Sequence, residues 1–277
     1  VVDAPLVLTY HTKYDVDIAK AVRGKLLQES AIRALVQNIA SCDEVWVVSR
    51  GAGENLRSLG YEGDYIVMEN GVDVPRGRVS DEAIAAATGR YDLPQNVPVF
   101  LFVGRLMWYK GIRIILDALK TLREKNVDFR MVFVGEGADG AEIRSYAEER
   151  KLSDRCFFTG AISDREIIRA WYGRSDLFLF PSTFDTNGLV VREAAACGLG
   201  SVLVRGSCAA EDVEDGVSGF FIEENAASLA GKLTELLRAP EQMRRVGQTA
   251  QERIYISWED SVSNAAERYE AVIAQYR

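Results

Sequence analysis

Short apolar runs alternate along the chain with longer segments in which apolar residues recur at three- and four-residue intervals. The runs at residues 6–10, 45–48, 65–68, 99–103, 129–134, 156–159, 176–180, 202–204 and 219–222 read as strands. The segments at 21–40, 111–124, 138–150, 164–173, 188–197, 225–237, 242–254 and 257–276 read as helices, as does the segment that Ser49 caps and Gly60 stops. Strand and helix in regular alternation predict parallel strands joined by helical crossovers, the doubly wound α/β class.

The alternation breaks once. Asn70-Gly71 marks a turn, residues 80–89 form a charged, alanine-rich stretch, and a loop runs over 91–98. A domain boundary is therefore expected between Gly71 and Pro94. The first domain is predicted over residues 1–85, with helix 257–277 packing back on it, and the second over 86–256. The second contains six strands with their crossovers, a complete Rossmann-like unit; the first contains a partial one. The chain opens on Val1 rather than Met and enters a strand almost at once, which reads as a truncation at the N-terminus.

A sheet of order 3-2-1-4-5-6 opens a crevice at the carboxyl ends of its first and fourth strands. In the second domain these are 99–103 and 176–180, and the loops after them hold the densest polar signals in the chain. Gly104-Arg105-Leu106-Met107-Trp108-Tyr109-Lys110-Gly111 lacks the Gly-Lys-Ser/Thr order of a Walker loop but places two cations at the crevice. A planar fork and a point charge together suit a diphosphate; two solvated surface cations are the plainer reading. After the fourth strand comes Pro181-Ser182-Thr183-Phe184-Asp185-Thr186-Asn187-Gly188, then a helix with Glu193 in its second turn. The free N–H groups of that helix end suit an anion, and two carboxylates suit sugar hydroxyls. Glu193 also reads as an acid stabilising its own helix.

Gly135-Glu136-Gly137-Ala138-Asp139-Gly140 matches a dinucleotide fingerprint, but the next strand ends in Thr159-Gly160, where an acid should grip the ribose. A tight strand-to-helix turn lining a nucleotide pocket is the favoured reading, and an NAD-dependent oxidoreductase the lesser alternative. Asp15-Val16-Asp17 spells an Asp-x-Asp metal motif or, beside Lys13, a solvated face. His11 follows the first strand directly, at a position where structural and functional roles are evenly matched.

Composition narrows the classes. With 33 Lys+Arg against 41 Asp+Glu, the net charge of −8 argues against a nucleic-acid binder, which needs a basic face. A 48% hydrophobic and 27% charged chain is an ordinary globular one. No apolar run approaches the roughly 20 residues that span a bilayer. Cys42, Cys156, Cys197 and Cys208 show no Cys-x-x-Cys spacing, and one histidine excludes any multi-histidine metal site.

Together, Gly104-Arg105-Leu106 with Lys110-Gly111, Gly135-Glu136-Gly137, Pro181-Ser182, the segment 185–198, Asn70-Gly71-Val72-Asp73 and Tyr10-His11-Thr12 resemble the family-4 glycosyltransferases of the GT-B fold. The resemblance implies two Rossmann-like domains and a retaining, metal-independent transfer from a nucleotide-diphospho sugar, with UDP favoured, to a lipid or saccharide acceptor. It implies no cofactor and a cytoplasmic location, at the inner face of a membrane where the acceptor is a lipid. In that family Arg105 and Lys110 would hold the diphosphate and Glu193 the ribose hydroxyls, with Gly135 lining the nucleotide pocket. Asp185 and His11 would face the donor sugar, and the backbone of Asn187, Gly188 and Leu189 would meet sugar and phosphate. The chain departs from the pattern in having Asp185 where Glu is usual, Asn187 where Phe is common and Gly200 where Pro is common. Peripheral membrane contact would fall to the helix bearing Arg23, Lys25 and Arg33. A donor-binding fragment without turnover is the non-enzymatic alternative.

Overall fold

The computed structural model describes residues 3–276, the side chains of Val16 and Lys20 excepted. Val1, and the reading attached to it, lies outside the described residues. The chain divides into two compact units. One comprises residues up to Gly71, Asp185–Gly188 and the stretch from Ile256 onward; the other comprises Val72–Phe184 and Leu189–Tyr255.

The first unit contains a parallel sheet of β1 (Val7–Tyr10), β2 (Glu44–Val47) and β3 (Ile66–Val67), in that order. Helices α1 (Tyr14–Ala21), α2 (Lys25–Ala40) and α3 (Arg50–Ser58) connect the strands. The pleat sends Val45 and Val47 to the face where Ile39, Leu56 and the fully buried Tyr10 pack. Trp46 points the other way, its ring 4.6 Å from that of Tyr269 on the last helix of the chain, Trp258–Tyr276. The same helix is tied down by Arg268, which makes a two-pronged contact with Glu44, and by Ser261 Oγ, which donates to the Glu69 carbonyl at 2.7 Å. The helix expected over 21–40 starts four residues later, as α2, and residues 14–21, left unassigned in the sequence reading except for Ala21, form α1. Gly24, at φ +99°, separates the two, so α1 ends at Ala21 and α2 starts at Lys25.

The second unit is built on a six-stranded parallel sheet. Its strands are β4 (Val99–Val103), β5 (Arg130–Val134), β6 (Cys156–Gly160), β7 (Leu177–Phe180), β8 (Ser201–Val204) and β9 (Phe220–Ile222), in the spatial order β6-β5-β4-β7-β8-β9. Counted from β4, this is 3-2-1-4-5-6, the expected doubly wound order. Helices α4 (Asp81–Thr88), α5 (Ile112–Glu124), α6 (Gly140–Glu149), α7 (Arg165–Arg174), α8 (Leu189–Ala196), α9 (Ala226–Leu236) and α10 (Pro240–Arg253) belong to this unit, and the terminal helix is α11. Every residue of β4, β7 and β8 is buried, as covering both faces of a parallel sheet requires.

Residues 72–85, grouped with the first domain in the sequence reading, lie in the second unit. The stretch 80–89 contains α4, capped by Ser80, whose hydroxyl accepts from Ala83 N–H at 3.2 Å, with Asp81 and Glu82 in its first turn. Helix α4 packs on α7, and Gly77 N–H donates to the Ala196 carbonyl at 2.9 Å. These contacts are made with residues that sequence spacing does not reveal.

Candidate functional site

The loops after β4 and β5 are zipped together past the end of the sheet. Gly104 N–H donates to Val134 O at 3.0 Å and Leu106 N–H to Glu136 O at 3.1 Å. A Cβ at Gly135, which sits at φ +135°, would lie 2.0 Å from Gly104 O, and one at Gly137 would lie 2.3 Å from Leu106 O. Asp139 then accepts from Trp108 N–H at 2.8 Å. The first two glycines of the Gly-x-Gly-x-x-Gly pattern are thus accounted for by the close approach of two loops, with no dinucleotide required. Gly111, at φ +76°, brings the end of the same loop against the Pro181 carbonyl after β7, where a Cβ would be 2.1 Å away. Three loops therefore converge at the carboxyl ends of β4, β5 and β7.

The two cations of the first loop differ in setting. Arg105 is exposed, and its side chain makes no ion pair among the described residues. Lys110 closes a short 3-10 turn, Trp108–Lys110, and is buried; its Nζ lies 5.7 Å from the Phe180 ring centroid and 5.8 Å from that of Tyr109. An ammonium over two aromatic faces is held by the ring quadrupoles where water is scarce.

Helix α8 follows Gly188, which takes φ +66°. Leu189, its first residue, is exposed, and Glu193 lies one turn further in, half-buried. Burial pushes the Glu193 carboxyl above its ordinary value, against the hydrogen bond from Tyr172, whose hydroxyl donates to Oε2 at 3.0 Å. Next to it, Arg192 anchors α8, donating to the Ile254 carbonyl and to Asp212, each at 2.9 Å.

Residues 185–188 belong to the first unit, although both chain neighbours belong to the second. Thr186 Oγ1 donates to the His11 carbonyl at 2.8 Å, Asn187 Nδ2 to the Val48 carbonyl at 2.9 Å, and Ser49 Oγ to the Thr186 carbonyl at 2.5 Å. Ser49 Oγ also caps α3, accepting from Ala52 N–H at 3.0 Å. The loop is thereby fixed to the carboxyl ends of β1 and β2. Its half-buried Asp185 precedes Thr186, and the exposed His11 supplies a backbone acceptor to it.

So Arg105, Lys110, Gly135, Leu189 and Glu193 lie in the second unit, and His11, Asp185, Asn187 and Gly188 in the first. Sequence reasoning missed Tyr172, which lies 21 residues before Glu193 on a helix read only as a crossover, and the hydroxyls of Thr186 and Ser49 as fasteners. Among the described residues no three His, Cys, Asp or Glu side chains cluster to hold a metal. Asp15 and Asp17, two apart in the first turn of α1, do not face each other, and Asp15 accepts from Asn55 at 3.4 Å. A groove of about 960 Å³ in the second unit, lined by Arg78, Arg174, Asp176 and Leu199, lies at the amino ends of β7 and β8, away from these loops.

A family model described as "Glycosyl transferases group 1" matches residues 86–253. A D-inositol 3-phosphate glycosyltransferase of Streptomyces bingchenggensis is 28% identical over 99% of the chain, which spans 63% of that relative's length. An alpha-monoglucosyldiacylglycerol synthase of Streptococcus pneumoniae is 24% identical over 70% of the chain, which spans 45% of it. Among solved structures, Anabaena HepE in complex with UDP-glucose superposes with a TM-score of 0.81 at 21% identity, over 96% of this chain and 72% of that one.

Proposed function

Because the chain belongs to the group 1 glycosyl transferases and has an α/β fold matching GT-B structures, we propose that it moves a hexosyl unit from a nucleotide-diphospho sugar to a lipid or saccharide acceptor. The reading includes a family-4 enzyme, retention of configuration and a UDP-sugar donor. The observation that carries it is the convergence of three loops at the carboxyl ends of β4, β5 and β7. It presents Lys110, a pair of close-packed glycine turns and, on α8, the half-buried Glu193. A crevice at this point of a doubly wound sheet is where nucleotides bind.

In this reading Lys110 and Arg105 neutralise the diphosphate, which becomes the leaving group, so their charge acts most strongly as the glycosidic bond breaks. The backbone of Gly188 and Leu189 adds the N–H groups of a helix start. Glu193 accepts from the ribose hydroxyls, Gly135 keeps the wall of the nucleotide pocket free of side chains, and Asp185 and His11 hold the donor sugar. Asn187 serves through its backbone, its side chain being engaged by Val48. The complex of HepE with UDP-glucose supports the choice of donor, and the names of the inositol-phosphate and diacylglycerol relatives support a polyol or lipid acceptor. A lipid acceptor would bring the protein to the cytoplasmic face of a membrane. Leu26 and Leu27, 79% and 63% exposed beside Arg23 and Lys25, are suited to that contact. No helix of the described residues is long and apolar enough to cross a membrane.

Calorimetric titration with UDP and with NAD is the first test. Binding of UDP alone is expected; binding of NAD alone would return the glycine turn to an oxidoreductase. Consumption of UDP-sugar that depends on added acceptor then separates a transferase from a fragment that only binds donor. Chelation by EDTA is expected to leave UDP affinity unchanged, since Lys110, Arg105 and a helix start already meet the diphosphate charge. Loss of binding that manganese restores would point back to Asp15 and Asp17.

A further inference from the structure

We infer that Tyr172 is a positioning residue for the donor ribose: its hydroxyl holds one oxygen of Glu193 and leaves the other directed to the vicinal hydroxyls. The inference rests on the reading of Glu193 as the ribose acceptor. Tyr172 belongs to none of the motifs that point to the site. It lies on α7, its ring 1% exposed and edge-on to Phe178 of β7 at 5.8 Å, so its orientation is set by the sheet. A buried hydroxyl must be hydrogen-bonded or carry a desolvation penalty. It has one proton to give, and Glu193 Oε2 at 3.0 Å is nearer than the Val190 carbonyl at 3.4 Å. A neutral donor to a carboxylate makes a charge-assisted bond, stronger than one to a carbonyl.

The bond has two effects. It removes rotational freedom from a carboxylate that must meet two hydroxyls at once, which is the orientational part of recognition. It also favours the charged form of Glu193 where burial opposes it. The groups acting on this carboxylate are few: Tyr172 and Arg165 from α7 favour its charge. Cys197, the residue directly after α8, has a thiol that burial pushes up to about 11, so it stays neutral at working pH. Helix α10, also packed on α8, sends Gln251 to the Ala196 carbonyl at 2.7 Å. An ionised Glu193 accepts from both ribose hydroxyls; a protonated one has less to offer.

The test is calorimetric titration of the whole chain with UDP and 2′-deoxy-UDP between pH 5 and 8.5, for the wild type, Tyr172→Phe, Glu193→Gln and the double variant. The wild type is expected to prefer UDP, with the preference fading in acid as Glu193 is protonated. In Tyr172→Phe the preference should fall by about five- to tenfold, the net worth of one ordinary hydrogen bond, and the pH at which it fades should move up. In the Glu193→Gln background the same substitution should change neither preference nor pH profile. 3-Fluorotyrosine placed at 172 keeps the ring and strengthens the donor, and should move the midpoint down. It serves in place of Tyr172→Phe if that variant does not fold. A midpoint unmoved by either change, with UDP still preferred, overturns the inference while the site reading stands. A wild type that binds no UDP at any pH overturns the site reading, and the inference with it.

Discussion

Glu193 is held above its ordinary protonation range by burial, so the folded chain binds its proton more tightly than the unfolded chain does. Stability from this group is therefore complete below about pH 4.3, the ordinary glutamate value, and declines as pH rises through the raised value. Glu193→Gln should accordingly raise the melting temperature at pH 7.5, and the gain should vanish near pH 4. A melting series in which the variant is less stable at every pH would mean that the carboxylate is fully compensated where it sits. Gain in stability with loss of ribose discrimination is the exchange expected of a binding group kept against the interest of the fold. In the proposed function Lys110 makes the opposite case: its charge would serve the ligand, and its Nζ lies over the Phe180 and Tyr109 rings. Lys110→Met should keep most of the packing, yet Lys110→Met and Lys110→Ala should both weaken UDP binding by about ten- to a hundredfold, the worth of a charge-assisted contact. Equal calorimetric affinities would remove Lys110 from the diphosphate. At this scale the positions of Arg105, Lys110 and Glu193 were legible because each follows a strand, β4 or β7, whose carboxyl end the alternation pattern located. Tyr172 was not, since nothing in a run such as Ala170-Trp171-Tyr172 shows which way the hydroxyl faces.

Strands were the most legible elements, above all β4, β7 and β8, where burial on both faces goes with apolar runs. Helices were less so at their ends. The sequence reading carried one helix across Gly24, and it passed over α4, although Ser80 followed by Asp81 and Glu82 is a start signal. The glycine turns were legible as turns but not as contacts, because the carbonyls that Gly135, Gly137 and Gly111 meet, those of Gly104, Leu106 and Pro181, belong to loops distant in sequence. That distinction gives a test. Gly135→Ala would place a methyl carbon against Gly104 O at a φ that alanine rarely adopts. It should destabilise the second unit by more than about 1 kcal/mol and weaken UDP binding with it. Gly231, whose Cβ would meet nothing, is the control and should tolerate alanine with no loss. Should Gly135→Ala melt and bind like the wild type, the two loops are not held together as described.

The two units have separate hydrophobic cores, and the first is much the smaller. It is further supported by Arg268, which holds the Glu44 carboxyl below its usual range, so this support is lost as pH falls through that lowered value. Heating at pH 7 should give two transitions: an earlier one in the first unit, reported by Trp46, and a later one in the second, reported by the buried Trp171. UDP at a hundredfold excess over its Kd should stabilise the second unit by about 2.7 kcal/mol, moving the later transition. Calorimetry that shows a single transition, with or without UDP, would contradict this. The doubly wound order of the large sheet and the existence of two units were legible from alternation and from the interruption near residue 80. The membership of residues 185–188 was not, because it depends on hydrogen bonds to His11, Val48 and Ser49, more than a hundred residues earlier.

The chain passes between the units four times, and the short excursion at 185–188 makes the second unit a poor module for exchange. A chimaera that takes residues 72–255 from this protein and the remainder from a relative would import Thr186 and Asn187 without the partners they were selected with. Such a hybrid inherits a loop whose anchors lie on the foreign parent. Grafts that carry over residues matching His11, Val48 and Ser49 should express and bind donor more often than grafts cut at the two outer boundaries alone.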